Sequence, residues 1–163
     1  MRKTTFTRDE KNATLTVERI FGAPRQRVWR AMTDAEILDQ WWAPAPWKTE
    51  TVTMDFRVGG FWHYAMNGPD AEQHFGRMDY VEIDPGVRFK AKDVFCDAQG
   101  NAIDTLPTQV FESTLYEEGD GTKVVTLIQY ASLADLEKII EMGMQEGLTM
   151  AHDQLEALLG RME

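Results

Sequence analysis

Basic side chains are in short supply. Lys and Arg number 17 against 27 Asp and Glu, a formal charge of −10. A surface of that sign repels phosphate backbones and anionic lipid, and no basic block interrupts it. Nucleic acid and membrane surfaces are therefore not expected partners. Cysteine is nearly absent: the one residue, Cys96, excludes an internal disulfide and a cysteine-based metal cluster. No apolar run approaches the roughly 20 residues of a membrane span. The opening MRKTTFTRDEKNATL lacks the apolar stretch of a secretory signal. Together these shortages predict a cytoplasmic protein.

Patterns that carry chemistry are missing as well. His63, His74 and His152 are scattered, with no HxH or HxxxH spacing, so neither a metal site nor another cofactor is expected. There is no G-x-S-x-G. Ser113 and Ser132 have no predicted base beside them, and Cys96, at a strand end, reads as a small apolar filler. The stretch GDGT is a hairpin turn, not a phosphate loop, since no lysine-led helix follows it. No residue is assigned a catalytic role on these grounds.

What is present is enough apolar material for a core, 43% of the chain. A length of 163 residues suits one domain, expected over residues 13–163 behind a flexible polar tail, 1–12. ATLTVERIF alternates Leu15, Val17 and Arg19 against Thr14, Thr16 and Glu18, the period of a strand. Pro24 opens a helix, and Thr33 or Asp34 can cap a second short one, AEILDQWW. From residue 47 the period returns to two, through WKTETVTMDFRV, GGFWHYAM, QHFGRMDYVEID, VRFKAKDVFC, TQVFESTLYEE and TKVVTLIQYA. Turn residues separate these runs, the clearest being GDG. After Ser132 or Asp135 as cap, LADLEKIIEMGMQEGLTMAHDQLEALL keeps one apolar stripe to Gly160 and reads as one long helix.

Six consecutive strands joined by short turns are antiparallel, and a sheet with one apolar face needs a cover. The predicted fold is α+β: a curved antiparallel sheet of six to seven strands wrapped on a long C-terminal helix, with two short helices after the first strand. Such a sheet curls more than one helix can fill, which leaves a cavity.

The strings FGAPRQRVWRAMTDAEILDQWW, MDFRVGGFWHYAM, EIDPGVRF, GDGTKVVTL and GMQEGLTMAHDQLEALL resemble the family of activators of the heat-shock protein 90 ATPase and their homologues. That family belongs to the START-like or SRPBCC superfamily of helix-grip folds, and the likeness runs from about residue 14 to residue 159. The resemblance implies a bacterial stand-alone domain holding a small, largely hydrophobic molecule, such as a lipid, between sheet and helix. Superfamily members also include cyclases and hydrolases, and an enzyme of that kind is the first alternative. A stress-response co-chaperone that stimulates a chaperone ATPase is the second. The eukaryotic co-chaperone carries an additional N-terminal domain for which this chain has no room, which argues against a chaperone partner. A monomer or a homodimer is expected. Leu148 stands where the family motif usually carries a tryptophan.

The cavity face is expected to comprise Trp62, Tyr64, Met66, Met78, Tyr80, Phe89 and Glu112 from the sheet. Gly143, Met144, Gly147, Leu148 and Ala151 should face them from the helix. Trp62 and Tyr64 are equally good core residues, and Met144 an adaptable wall. Glu112 follows Phe111 in a strand whose parity the sequence leaves open. If inward, its carboxyl would have a raised pKa and could act as acid or base. Arg77, Asp93 and Gln129 are polar residues inside strands, expected mostly on the outer face. His63, opposite in parity to Trp62 and Tyr64, is expected to face solvent. Gly59 and Gly60 mark a bend at a strand start, and NGPD the turn at its end.

Overall fold

The computed structural model describes residues 2–162. The chain opens with strands β1 (Thr5–Asp9) and β2 (Thr14–Phe21), then helices α1 (Arg25–Thr33) and α2 (Ala35–Leu38). Six strands follow: β3 (Lys48–Met54), β4 (Phe61–Asn67), β5 (Gln73–Asp84), β6 (Arg88–Cys96), β7 (Gln109–Glu118) and β8 (Gly121–Tyr130). Helices α3 (Leu133–Glu141) and α4 (Met144–Leu159) close the chain. All strands join one eight-stranded antiparallel sheet in the order β1-β2-β8-β7-β6-β5-β4-β3. The sheet is open, with β1 and β3 as its edges. This is the helix-grip arrangement that the strand pattern predicts.

Two expectations need correction. Thr5–Phe6–Thr7–Arg8–Asp9 lies in the segment expected to be a flexible tail, yet it pairs with β2 in register from Thr5↔Glu18 to Asp9↔Thr14. The sheet therefore has one strand more than the upper expectation. The C-terminal helix is also two helices, not one. Gly143 sits at φ +90° between them, a left-handed conformation that glycine reaches without strain. Its N–H still bonds the Ile140 carbonyl at 3.0 Å. The apolar stripe resumes beyond it with Ala151 and Leu155 buried.

The core lies between the concave face of the sheet and the helices. Leu15, Val17, Trp62, Met78, Ala91 and Ile128 are each at most 3% exposed and come from five different strands. Val28 and Ala31 of α1 and Leu155 and Leu159 of α4 complete it. The buried Trp41 indole donates to the Ala31 carbonyl at 2.9 Å, which ties the α2 corner to α1. Asp34 caps α2 by accepting from the Glu36 amide at 2.9 Å. Ser132 caps α3 by accepting from the Asp135 amide at 3.1 Å.

On the convex side, the β6–β7 connection folds back over the sheet. Ala102 bridges to Cys96, the Gly100 carbonyl accepts from Arg77, and the Asp97 carbonyl lies 3.2 Å from His63 Nε2. His63 does lie opposite Trp62 and Tyr64, but this loop covers it, leaving 5% exposed, not solvated as expected.

Candidate functional site: an apolar pocket holding one carboxyl

Alternation along five neighbouring strands sets Trp62, Met78, Asp93, Gln109 and Tyr130 in a transverse row on the concave face. The register is Trp62↔Met78, Met78↔Asp93, Asp93↔Gln109 and Gln109↔Tyr130. Beside that row, Tyr64 stands opposite Gly76. A Cβ at Gly76 would lie 2.5 Å from the Tyr64 hydroxyl. The glycine is what lets the phenol lie against the sheet. Tyr64 in turn stacks on Trp62 at 4.1 Å between ring centres and meets the edge of Trp42 at 6.2 Å. Trp62 is fixed by its indole N–H, which donates to Thr51 Oγ1 at 3.0 Å.

These residues border a pocket of about 210 Å³ between the sheet and the start of α4. Trp42, Tyr64, Met66, Phe75, Phe95 and Phe111 form apolar walls on one side, and Met144, Gly147 and Leu148 form the other. Pro44 and the exposed His74 stand at the rim, where His74 stacks on Trp47 at 5.5 Å. A second cavity of about 40 Å³ lies behind, lined in part by Trp62, Met78, Phe89 and Ser113. Trp42, Phe111 and Leu148 border both cavities.

The polar groups of the larger pocket converge on Asp93. Tyr64 OH donates to its Oδ1 at 3.4 Å and Gln109 Nε2 to its Oδ2 at 3.0 Å. Burial pushes the carboxyl from an ordinary 3.8 up to about 7, partly opposed by those two hydrogen bonds. Burial, with the Asp93 charge beside it, pushes the Tyr64 phenol well above its ordinary value, so it stays a neutral donor. Among the described residues, Gln109 Oε1 and Trp42 Nε1 are buried without a hydrogen-bond partner. Such orphans are uncommon in native structures and call for a reason.

The expected site residues separate into groups. Tyr64, Met66, Met144, Gly147 and Leu148 line the pocket. Trp62, Met78 and Phe89 line the smaller cavity. Tyr80 is buried against Phe56 at 4.7 Å, and Ala151 is buried within α4. Gly143 serves as the break before α4 rather than as pocket wall. Glu112 does not face the cavity. Phe111 and Ser113 take the inward positions of β7, and the Glu112 carboxylate pairs with Arg88 on the outer face. Arg77 and Gln129 also lie outside the pocket, with Arg77 held by Asp79 at 2.8 Å. Asp93 is the opposite case, turning inward where the outer face was the general expectation. Gln109 and Trp42 were not anticipated. Asp93 shares the parity of Phe89 and Ala91 in VRFKAKDVFC, and that signal alone could have found it.

Gly147 has a plain reason. A Cβ there would meet only Pro44 Cγ, at 3.7 Å, so packing does not require the glycine, and the missing side chain leaves room at the rim. Gly76 differs. Gly76→Ala is expected to push the Tyr64 ring out of place, break its contact with Asp93 and cost about 1–3 kcal/mol of stability. Denaturant unfolding checks the cost, and the near-ultraviolet aromatic signal of the folded variant checks the ring.

A family model described as Activator of Hsp90 ATPase homolog 1-like protein matches residues 22–160. The chain belongs to that family. A protein of Mycobacterium smegmatis is 32% identical, covers 96% of each chain and superposes with a TM-score of 0.89. One from Arthrobacter aurescens is 28% identical, covers 97% of this chain and 92% of its own, and gives 0.90. A Rhodobacter sphaeroides protein at 17% identity gives 0.86 over 98% and 100%, a likeness of fold alone. No match was found among curated proteins. Leu148, where the resemblance implies a tryptophan, lies at a position that borders both cavities.

Proposed function

We propose that the protein binds a small, largely apolar ligand in the pocket between the sheet and α4. The observation that carries this reading is an aromatic-walled space of about 210 Å³ in which the polar groups gather at one place. Ligand sites have this composition: mostly apolar walls with a few placed polar groups. An engineered cavity of about 150 Å³ stays dry and takes benzene. By that scale the pocket suits a molecule of one or two rings, not a long-chain lipid. Among the described residues, no helix is long and apolar enough to cross a membrane. The buried free thiol of Cys96, pushed up to about 11 by burial, accords with a filler role in a reducing cytoplasm.

The test is native mass spectrometry of the protein taken gently from cell extract, together with Leu148→Trp. The indole introduced by that change would lie across both cavities. We expect the wild type to carry a small apolar adduct and the variant to lose it, with at least a tenfold drop in affinity for a one-ring probe and little loss of thermal stability. An empty wild type that also binds no probe sinks the proposal.

A second reading, an enzyme of the cyclase or hydrolase kind, is favoured by one observation. Asp93 sits at about 7, the range useful to a general acid or base, with Tyr64 and Gln109 on its two oxygens. Conversion of a bound adduct that stops in Asp93→Asn would establish it. Nothing in the geometry favours the co-chaperone reading over these.

A further inference from the structure

We propose that the ligand carries a protonated amine, held by Asp93 at the polar end of the pocket and by the aromatic walls around it. The inference rests on the binding reading above and names the chemical class that this pocket selects. Asp93 lines the pocket, and half-burial leaves it accessible there. Its two oxygens accept from Tyr64 and Gln109, yet among the described residues no Lys, Arg or His forms an ion pair with it. A carboxylate in a largely apolar pocket without a counter-charge is costly, and a ligand cation supplies that charge. The facing groups leave no rival. Tyr64, Tyr80 and Tyr130 stay neutral because burial raises each phenol, and Asp79 adds negative charge. The α4 wall contributes only Met144, Gly147 and Leu148, and His74 is the remaining titratable residue, at the rim.

Three further features favour a cation over an anion. Trp42, Tyr64, Phe75, Phe95 and Phe111 line the space, and aromatic rings attract ammonium groups. Gln109 Oε1, unpartnered in this structure, is an additional acceptor beside the carboxyl. The formal charge of −10 draws cations toward the molecule and repels carboxylates.

The probes are phenethylamine, 2-phenylethanol and phenylacetate, which share one ring and chain length and differ in the terminal group. Each is titrated into the full chain at pH 8 and pH 6 while the amide signals of Gly76 and Gly147 are followed by NMR. At pH 8 the amine is expected to bind at least tenfold tighter than the alcohol, and phenylacetate weakest of all. With the carboxyl at about 7, protonation removes the charge partner on acidification. Amine affinity then falls about five- to tenfold from pH 8 to pH 6 while alcohol affinity holds. The same fall in His74→Gln assigns it to Asp93. In Asp93→Asn the amine is expected to bind no better than the alcohol. An amine that binds no tighter than the alcohol, or a preference that survives Asp93→Asn, overturns the inference. Alcohol binding without amine preference overturns it while leaving the apolar-ligand reading intact. Absence of binding by all three probes overturns both. The wild-type comparison stands by itself should the variant fold poorly.

Discussion

Asp93→Asn is expected to make the protein more stable at pH 8 and less resistant to acid. The native carboxyl is raised from 3.8 to about 7 because burial disfavours its charge. The unfolded chain releases that proton near the ordinary value. The native state therefore holds the extra proton between about pH 4 and pH 7, and the stability this confers, complete at low pH, is lost as pH rises through 7. At about 1.4 kcal/mol per pH unit the full effect is about 4 kcal/mol, and access of water through the pocket reduces it to about 2–3 kcal/mol. Asparagine never ionises, so the variant avoids this loss above pH 7. Its amide can also reach the unpartnered Gln109 Oε1, and Gln109 Nε2 still faces an oxygen if the amide turns.

His152 works in the other direction. It is 8% exposed, lies 2.9 Å from Thr4 Oγ1 and stands edge-on to Phe21. Burial and the nearby Arg19 charge push it from 6.5 down to about 4, against the pull of Asp153. Its contribution is present above pH 6.5 and lost as pH falls toward 4. In the wild type the two groups offset each other between pH 4 and 7, so stability changes little across that window. In Asp93→Asn only the His152 effect remains, and stability should fall steadily on acidification from pH 6.5. Urea unfolding at pH 8, 6.5 and 5 measures both profiles. A variant less stable than wild type at pH 8 would refute the assignment of Asp93 as a strained buried acid.

The sheet, its concave face and most pocket walls were legible in the sequence because all depend on a period of two. Trp62, Tyr64 and Met66 fall inward for the same reason that Leu15 and Val17 do. The failures have separate physical causes. Asp93 follows Phe89 and Ala91 in parity, but a charge inside a strand predicts an outer face, and here the pocket gives the carboxyl an accessible inner one. Glu112 was ambiguous because Phe111 and Val110 are both apolar; the cross-strand neighbour Lys90 and the Arg88 ion pair settle it outward. His63 had the right face and the wrong exposure, since no local pattern tells that a loop from residue 97 onward will cover it. The strand β1 carries only Phe6 as a half-buried apolar residue, so an edge strand of this kind has almost no periodic signal. At Gly143 the helical stripe survives the break, because one left-handed residue turns the chain and the next helix presents the same face to the core.

Arg19 follows the same parity. Its position after Leu15 and Val17 places it inward, and its side chain is 1% exposed. It is neutralised by Asp153 at 2.6 Å, donates to Thr4 Oγ1 at 3.2 Å and lies 5.5 Å from the Phe21 ring centre. The cluster joins the N-terminal segment, β2 and α4. The pair is unequal, because Asp153 is 47% exposed and Arg19 is not. Removing the carboxylate leaves a guanidinium sealed in the core; removing the guanidinium leaves a carboxylate that water can solvate. We therefore expect Asp153→Ala to cost about 2–4 kcal/mol, somewhat below a fully buried pair, and to lower the melting temperature by roughly 6–12 °C. Arg19→Met, which fills the same space with an apolar chain, should cost less than half as much. The double variant should recover most of the Asp153→Ala loss, since it no longer contains an unpaired buried charge. Thermal unfolding of the three variants at pH 7.5 decides the matter: equal costs for the two single changes would mean that the pair acts as an ordinary surface contact.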